Sequence, residues 1–246
     1  MNFVFDVDGT LTPSRDKIDP TFEQFFLEFC DKNAVYLVTG SDFDKTREQL
    51  GREILTKVQG YFLCSGNEFY RRSITLRGYN LEVFHELVYR NDFELDPVEK
   101  HFLEEELKWS GFSVRTGNHI EKRTGAVNFS IVGRNANKQE RLAYVIWDIN
   151  TNEREAIATR ISKAFPRLEC VSGGETGIDI YLKGMNKSQV KHHVKGEIVF
   201  FGDKGEPGGN DYPLAILADK YYNVKSWEET EYILRTKYND ARRSGT

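Results

Sequence analysis

The sequence predicts an α/β fold in which a parallel-sheet core is interrupted by an inserted α+β block. The first observation is that short apolar runs alternate with helix-like patterns near the N-terminus, which is typical of strand–helix–strand units. The second is that polar or glycine residues follow each run, as expected where parallel strands end. In this first part of the chain we expect strands and helices at residues 3–5, 20–32, 34–38, 43–51 and 61–64.

The third observation is a change of pattern in the middle of the chain. The predicted elements there are a charged helical stretch, an antiparallel strand region, a helix and two further strands, at residues 81–108, 112–134, 150–165, 168–171 and 178–182. The parallel pattern then resumes with a strand at 198–201 and a helix at 212–219. We therefore predict a core built from residues 1–82 and 186–246, with residues 83–185 as the inserted domain.

The composition excludes several classes of protein. The 246 residues include 34 basic and 38 acidic side chains, so no positive excess indicates a nucleic-acid partner. No apolar run has the roughly 18 residues that a membrane span needs. The first residues have no basic or apolar leader pattern, and three widely spaced cysteines disfavour a disulfide framework. We expect a cytoplasmic protein with reduced thiols and with neither a nucleic-acid nor a membrane partner.

Two groups of carboxylates follow predicted strands. Asp6 and Asp8 come directly after the first strand, and Asp203 and Asp211 flank a glycine-rich loop after the strand at 198–201. Crowded, desolvated carboxylates repel one another, and a cation with a preference for oxygen ligands removes that cost. These four residues are therefore candidate Mg²⁺ ligands, although each group alone is also compatible with an ordinary turn or helix cap.

Further polar residues complete an ordered set of motifs. Thr39 and Ser41 follow the strand at 34–38, where they could bind a phosphate or cap the next helix, and Lys187 precedes the last part of the core. Asp-x-Asp-Gly-Thr, then Thr-Gly-Ser, then a lysine, then Gly-Asp with Asn-Asp resembles the four motifs of the haloacid dehalogenase superfamily of phosphotransferases. That resemblance implies a haloacid dehalogenase-like core with an inserted cap domain.

Longer strings narrow the resemblance to the eukaryotic-type phosphomannomutases. They are the segments at residues 5–15, 40–43, 49–51 and 200–211, which include Gln49-Leu50-Gly51 and Pro207-Gly208-Gly209-Asn210-Asp211. The inserted block also matches the spacing of that family's cap arginines. The residues that the resemblance implies for substrate binding are Arg15, Arg123, Asn128, Arg134, Arg141 and Asp179.

The resemblance implies a mechanism for exchanging mannose 6-phosphate and mannose 1-phosphate through a hexose bisphosphate, which also serves as activator. Asp6 would be the nucleophile and form an aspartyl-phosphate, and Asp8 the general acid and base. Mg²⁺, held by Asp6, the backbone carbonyl of Asp8 and Asp203, would neutralise the transferring charge together with Lys187 and the hydroxyls of Thr39 and Ser41. The family also implies a homodimer formed through the cap.

Two departures from the family leave an alternative open. Gly177 stands where the family usually has a serine, and Thr39 is closer to the related sugar phosphatases. A sugar-phosphate phosphatase with the same core chemistry is therefore the second interpretation. A non-catalytic sensor of sugar phosphates is the third, which the complete set of carboxylates disfavours.

Overall fold

Residues 1–77 and 80–238, the part of the chain that the computed structural model describes, form eleven strands and eight α-helices. The strands are β1 (Asn2–Phe5), β2 (Ala34–Val38), β3 (Gly60–Leu63), β4 (Glu68–Arg77), β5 (Asn80–Arg90), β6 (Ile120–Arg123), β7 (Ala126–Phe129), β8 (Leu168–Gly173), β9 (Gly177–Leu182), β10 (Ile198–Gly202) and β11 (Lys220–Asn223). The helices are α1 (Pro20–Lys32), α2 (Phe43–Lys57), α3 (Pro97–Trp109), α4 (Lys138–Thr151), α5 (Glu153–Ala164), α6 (Val190–His193), α7 (Tyr212–Ala215) and α8 (Trp227–Ile233).

The two ends of the chain form one seven-stranded sheet in the order β11-β10-β1-β2-β3-β4-β5. The first five strands in that order are parallel, so the predicted α/β core is confirmed. Its central strand β1 is buried on both faces: Phe5 stacks on Phe201 with ring centroids 4.9 Å apart, while Val4 packs in a separate apolar cluster on the opposite face. Such a strand carries the residue that follows it, Asp6, into the interior.

The predicted helix over residues 81–108 is wrong in its first part. Residues 80–90 form β5, which pairs antiparallel with β4, and the helix α3 begins only at Pro97. Pairing with β4 holds residues 80–90 in a strand, whereas Asp96 and Glu99 form a capping box that fixes the helix start. The predicted domain boundary after residue 82 therefore falls inside β5.

Two compact units result, one made of Met1–Arg90 with Asn186–Thr246 and the other of Asn91–Met185. The second unit has a four-stranded antiparallel sheet in the order β6-β7-β9-β8, packed with α3, α4 and α5 around Phe129, Tyr144 and Ile180. The helix α4 was not predicted. It is separated from α5 by Asn152, whose φ of 53° is left-handed, and the helix predicted at residues 150–165 corresponds to α5.

No disulfide bond joins Cys30, Cys64 and Cys170, and all three are thiols. Within the described ranges, each helix is too short or too polar to cross a membrane.

Candidate active site

Three of the four predicted metal-binding carboxylates meet at the carboxyl ends of β1 and β10. The side chains of Asp6, Asp203 and Asp211 offer oxygen atoms that all lie within 4.8 Å of one another. Asp6 directly follows β1, Asp203 directly follows β10, and Asp211 precedes α7. The parallel pairing of β1 with β10 accounts for this meeting, because it brings Asp6 and Asp203, 197 positions apart in the chain, to one edge of the sheet.

Lys187 lies among these carboxylates and is fully buried. Its Nζ is 2.6 Å from Oδ1 of Asp6 and 2.7 Å from Oδ1 of Asp211. Burial opposes the charge of this lysine, but the two carboxylates outweigh it and raise its pKa. The side chain of Asn186 accepts a hydrogen bond from the backbone N–H of Ser188 and so caps the turn that carries the lysine.

The balance of charge in this cluster is negative, because three carboxylates face one buried ammonium group. Burial raises the pKa of Asp6 to about 7, with the charge of Asp211 acting in the same direction and that of Lys187 against it. Burial likewise raises the pKa of Asp203. The site therefore has the oxygen donors and the uncompensated negative charge that a divalent cation would neutralise.

Asp211 differs from the other two acids because both of its oxygens already have donors. Oδ1 accepts from Lys187, and Oδ2 accepts from the backbone N–H of Lys204 at 3.0 Å. Asp6 and Asp203 are thus better placed than Asp211 to hold a cation directly. Asp211 orients the lysine and the loop that follows β10.

Gly9 is the residue that makes room for Asp203. A Cβ atom at this position would lie 2.6 Å from Oδ2 of Asp203, closer than real contacts allow, and φ of Gly9 is +78°. Both the close approach and the left-handed backbone therefore require glycine in the turn after β1.

The carboxylate of Asp8 is not part of the acidic cluster, although the sequence grouped it with Asp6. Oδ1 of Asp8 accepts hydrogen bonds from the backbone N–H of Arg15 at 2.6 Å and from the amide of Gln49 at 2.9 Å. The reason is local. The strand ends at Phe5, and the carbonyl of Val7 accepts from three following N–H groups, so the chain turns sharply and the strand alternation no longer holds.

Thr39 and Ser41 lie in the turn after β2, and neither caps α2. That role belongs to Asp42, whose side chain accepts from the backbone N–H of Lys45. Oγ1 of Thr39 accepts from the N–H of Ser41 at 3.1 Å, and the Thr39 carbonyl accepts from Ser65. Both hydroxyls thus sit in a turn fixed by hydrogen bonds at the same edge of the sheet as Asp6.

In the inserted unit, Arg123, Arg134 and Arg141 form one cluster. Burial lowers the pKa of Arg134, and the positive charges of Arg123 and Arg141 lower it further. Each guanidinium has an acidic partner: Arg123 and Arg134 contact Glu121 at 2.9 and 3.1 Å, and Arg141 contacts Glu175 at 2.8 Å. A phosphate would add negative charge where three positive groups repel one another.

Asn128 and Asp179 lie opposite each other on β7 and β9, beside this cluster. The Asn128 amide donates to Oδ1 of Asp179 at 2.6 Å, and Arg123 contacts the same oxygen at 3.2 Å. A Cβ atom on Gly177 would lie 2.5 Å from the Asn128 amide nitrogen, so Asn128 fills the space next to this glycine. The glycine at position 177, where the family usually has a serine, therefore goes together with the position of the Asn128 side chain.

Arg15 belongs to the first unit and has an exposed side chain, and among the described residues its hydrogen bond to the site comes from its backbone N–H, which donates to Asp8. Three participants were not assigned from the sequence. Gln49 is buried beside Asp8, and Glu121 and Glu175 partner the arginines. Gln49 could have been singled out from the sequence, because it occurs in the Gln-Leu-Gly string. No sequence pattern pointed to Glu121 or Glu175.

The chain is similar to known proteins over most of its length. A sequence model described as eukaryotic phosphomannomutase matches residues 22–239. The phosphomannomutase of Drosophila melanogaster is 31% identical over 94% of this chain and 92% of its own length, and that of Saccharomyces cerevisiae is 30% identical over 96% and 93%.

Solved structures share the fold at low sequence identity. An IMP-nucleotidase of Plasmodium falciparum has a TM-score of 0.65 at 15% identity, covering 95% of this chain and 67% of that one. A trehalose-6-phosphate phosphatase related protein has a TM-score of 0.51 at 17% identity, with 96% of both chains covered. These likenesses confirm the haloacid dehalogenase-like α/β fold. The match over residues 22–239 and the relatives of 30–31% identity show that the chain belongs to the eukaryotic phosphomannomutase family, a family of isomerases.

Proposed function

We propose that this protein is an Mg²⁺-dependent phosphomannomutase that interconverts mannose 6-phosphate and mannose 1-phosphate. The observation that carries the proposal is the cluster of Asp6, Asp203 and Asp211 around Lys187 in a member of this family. Asp6 and Asp203 would hold Mg²⁺, which when bound supplies positive charge to the transferring phosphoryl group.

Each catalytic residue has a role in the proposal. Asp6 attacks phosphorus, so that an aspartyl-phosphate forms while the bond to the sugar oxygen breaks. Asp8 gives a proton to that sugar oxygen and later removes one from the hydroxyl that accepts the phosphoryl group. Lys187 stays charged beside Asp6, and the hydroxyls of Thr39 and Ser41 donate to the phosphoryl oxygens.

The arginine cluster of the inserted unit would bind the phosphate that does not react. Arg123, Arg134 and Arg141 are suited to this because guanidinium groups bind phosphate through paired hydrogen bonds. Asn128 and Asp179 would contact the sugar or its phosphate. The reaction then passes through a hexose bisphosphate, and an added bisphosphate would act as activator by phosphorylating Asp6.

The experiment is a ³¹P NMR assay of mannose 1-phosphate and of glucose 1-phosphate, with Mg²⁺ and glucose 1,6-bisphosphate present. The proposal requires the 6-phosphate to appear, faster for mannose. Asp6→Asn should abolish this, and Asp8→Asn should slow it by roughly 10²–10⁴-fold, the usual effect of losing a general acid or base. Release of inorganic phosphate without isomerisation would favour the sugar-phosphate phosphatase, the alternative that Gly177 supports.

We also propose a homodimer formed through the inserted unit. The helix α4 exposes Leu142, Ile146 and Ile149, which are 60%, 54% and 77% accessible and share one helix face. A second copy of this chain would cover that face.

The three cysteines, which form no disulfide with one another, support the further proposal of a cytoplasmic location, where thiols stay reduced.

A further inference from the structure

Gln49 is a buried amide in the core unit with no assigned role. It lies on the inward face of α2 with 3% of its surface exposed. Its backbone carbonyl accepts a hydrogen bond from the N–H of Ile18 at 2.9 Å, which ties this part of α2 to the segment before α1. The position of its side chain is therefore fixed from two directions, by the helix and by this loop contact.

The amide nitrogen of Gln49 has three acceptors within reach. Oδ1 of Asp8 is at 2.9 Å, Oγ1 of Thr12 at 3.3 Å and the carbonyl of Asp16 at 3.4 Å. An amide has two N–H groups, so it cannot bond well to all three. The bond to Asp8 is the shortest, and because its acceptor is a carboxylate it is also the strongest.

A second donor converges on the same oxygen. The backbone N–H of Arg15 lies 2.6 Å from Oδ1 of Asp8, and Arg15 adopts a left-handed φ of 61°. Non-glycine residues take this conformation at a cost in free energy, which the hydrogen bond to the carboxylate helps to offset. Within residues 1–77 and 80–238, both side-chain hydrogen bonds of Asp8 are made to Oδ1, and Oδ2 accepts none.

The orientation of the Gln49 amide is itself informative. Its Oε1 is buried and has no hydrogen-bond partner in the described part of the chain. Turning the amide over would point this oxygen at the Asp8 carboxylate and remove the bond to Oδ1. The amide thus leaves its own oxygen unpaired so that its nitrogen can bond to Asp8.

We propose that Gln49 is the positioning residue for the general acid and base of the reaction. It holds Oδ1 of Asp8 together with the N–H of Arg15, so that Oδ2 is the oxygen that carries the exchanged proton. As the bond between Asp6 and phosphorus forms and the bond from phosphorus to the leaving oxygen breaks, the proton on Oδ2 passes to that oxygen. This inference rests on the proposed function only in assigning the acid–base role to Asp8.

The test uses leaving groups that differ in their need for a proton. Gln49→Met keeps the size of the side chain and removes the donor, and Gln49→Glu puts an acceptor against Asp8. With mannose 1-phosphate we expect kcat of both variants to fall about 10–100-fold while KM changes less than about threefold, since proton transfer is affected and binding is not. With p-nitrophenyl phosphate, whose phenolate leaves unprotonated, kcat/KM should stay within about threefold.

The matched control is Thr12→Val, which removes another acceptor of the same amide and should leave both substrates within about threefold. An equal fall on both substrates in the Gln49 variants, or no fall on either, would overturn the proposal. Should Gln49→Met fail to fold, as judged by its melting curve, Gln49→Glu carries the test.

A series of substituted phenyl phosphates separates this proposal from the assignment of the sugar. The variants should show a steeper dependence of kcat/KM on the pKa of the leaving phenol than the wild type does. If the wild type turns over no hexose phosphate, the proposed function fails, whereas the steeper dependence would still support the role of Gln49. An unchanged slope would overturn that role whichever sugar the enzyme uses.

Discussion

Replacing Lys187 by methionine should destabilise the core unit strongly. The substitution keeps the length of the side chain but leaves Asp6 and Asp211 without the ammonium group that lies 2.6 and 2.7 Å from them. Breaking a buried ion pair by removing one partner costs about 3–5 kcal/mol. For a chain of this size about 1 kcal/mol shifts Tm by roughly 2–4 °C, so we expect Tm to fall by about 6–20 °C.

Thermal unfolding followed by circular dichroism at pH 7.5 in EDTA would measure this change. Lys191→Met is the matched control, because Lys191 forms an exposed pair with Asp219 and its loss should cost at most about 1 kcal/mol. Mg²⁺ should recover part of the loss in Lys187→Met by supplying positive charge. A Tm within about 2 °C of the wild-type value would falsify the argument that these carboxylates are buried and depend on the lysine.

Three further results are expected. The pKa of Asp6 is raised from 3.8 to about 7, so the folded protein retains a proton that the unfolded chain loses. In EDTA, the contribution of this proton to folding stability is full below about pH 4 and is lost as pH rises through 7. Melting curves of the wild type and of Asp6→Asn should therefore differ in how Tm depends on pH. Gly177→Ser should overpack against Asn128 and lower the free energy of unfolding, measured with urea, by about 1–3 kcal/mol. An unchanged urea midpoint would mean that the Asn128 amide moves aside freely. Ile146→Glu on α4 should convert a dimer into a monomer in light scattering, and a wild type that is already monomeric would exclude the cap interface.

Much of the core could be predicted because its signals are local. The bounds of α1 and β2 agree with the sequence, since Asp19 and Pro20 mark a helix start and a continuous apolar run marks a strand buried on both faces. The meeting of Asp6 with Asp203 followed from one rule, that the carboxyl ends of parallel strands share an edge of the sheet.

The missed features depend on partners far away in the sequence. The strand β5 is a strand because β4 lies beside it, and its charged residues alone resemble an exposed helix. The direction of the Asp8 carboxylate depends on Gln49, 41 residues away, and on a turn whose geometry the Asp-x-Asp pattern does not contain. The acidic partners of the cap arginines were missed for a different reason. An ion pair leaves no periodic signal, whether the acid is two residues away on the same strand, as Glu121 is from Arg123, or 34 residues away, as Glu175 is from Arg141.

The crowding of acids around one lysine sets selection for thermal stability against selection for activity. Asp203 is held in the fold although burial disfavours its charge, so a neutral side chain of the same shape would relieve repulsion among its neighbours. Asp203→Asn should therefore melt at a higher temperature than the natural protein without bound metal, while performing no phosphoryl transfer. Engineering that selects only for heat resistance would drift toward such inert sequences at this position, and a useful thermostable enzyme would have to be found by screening for turnover at the same time.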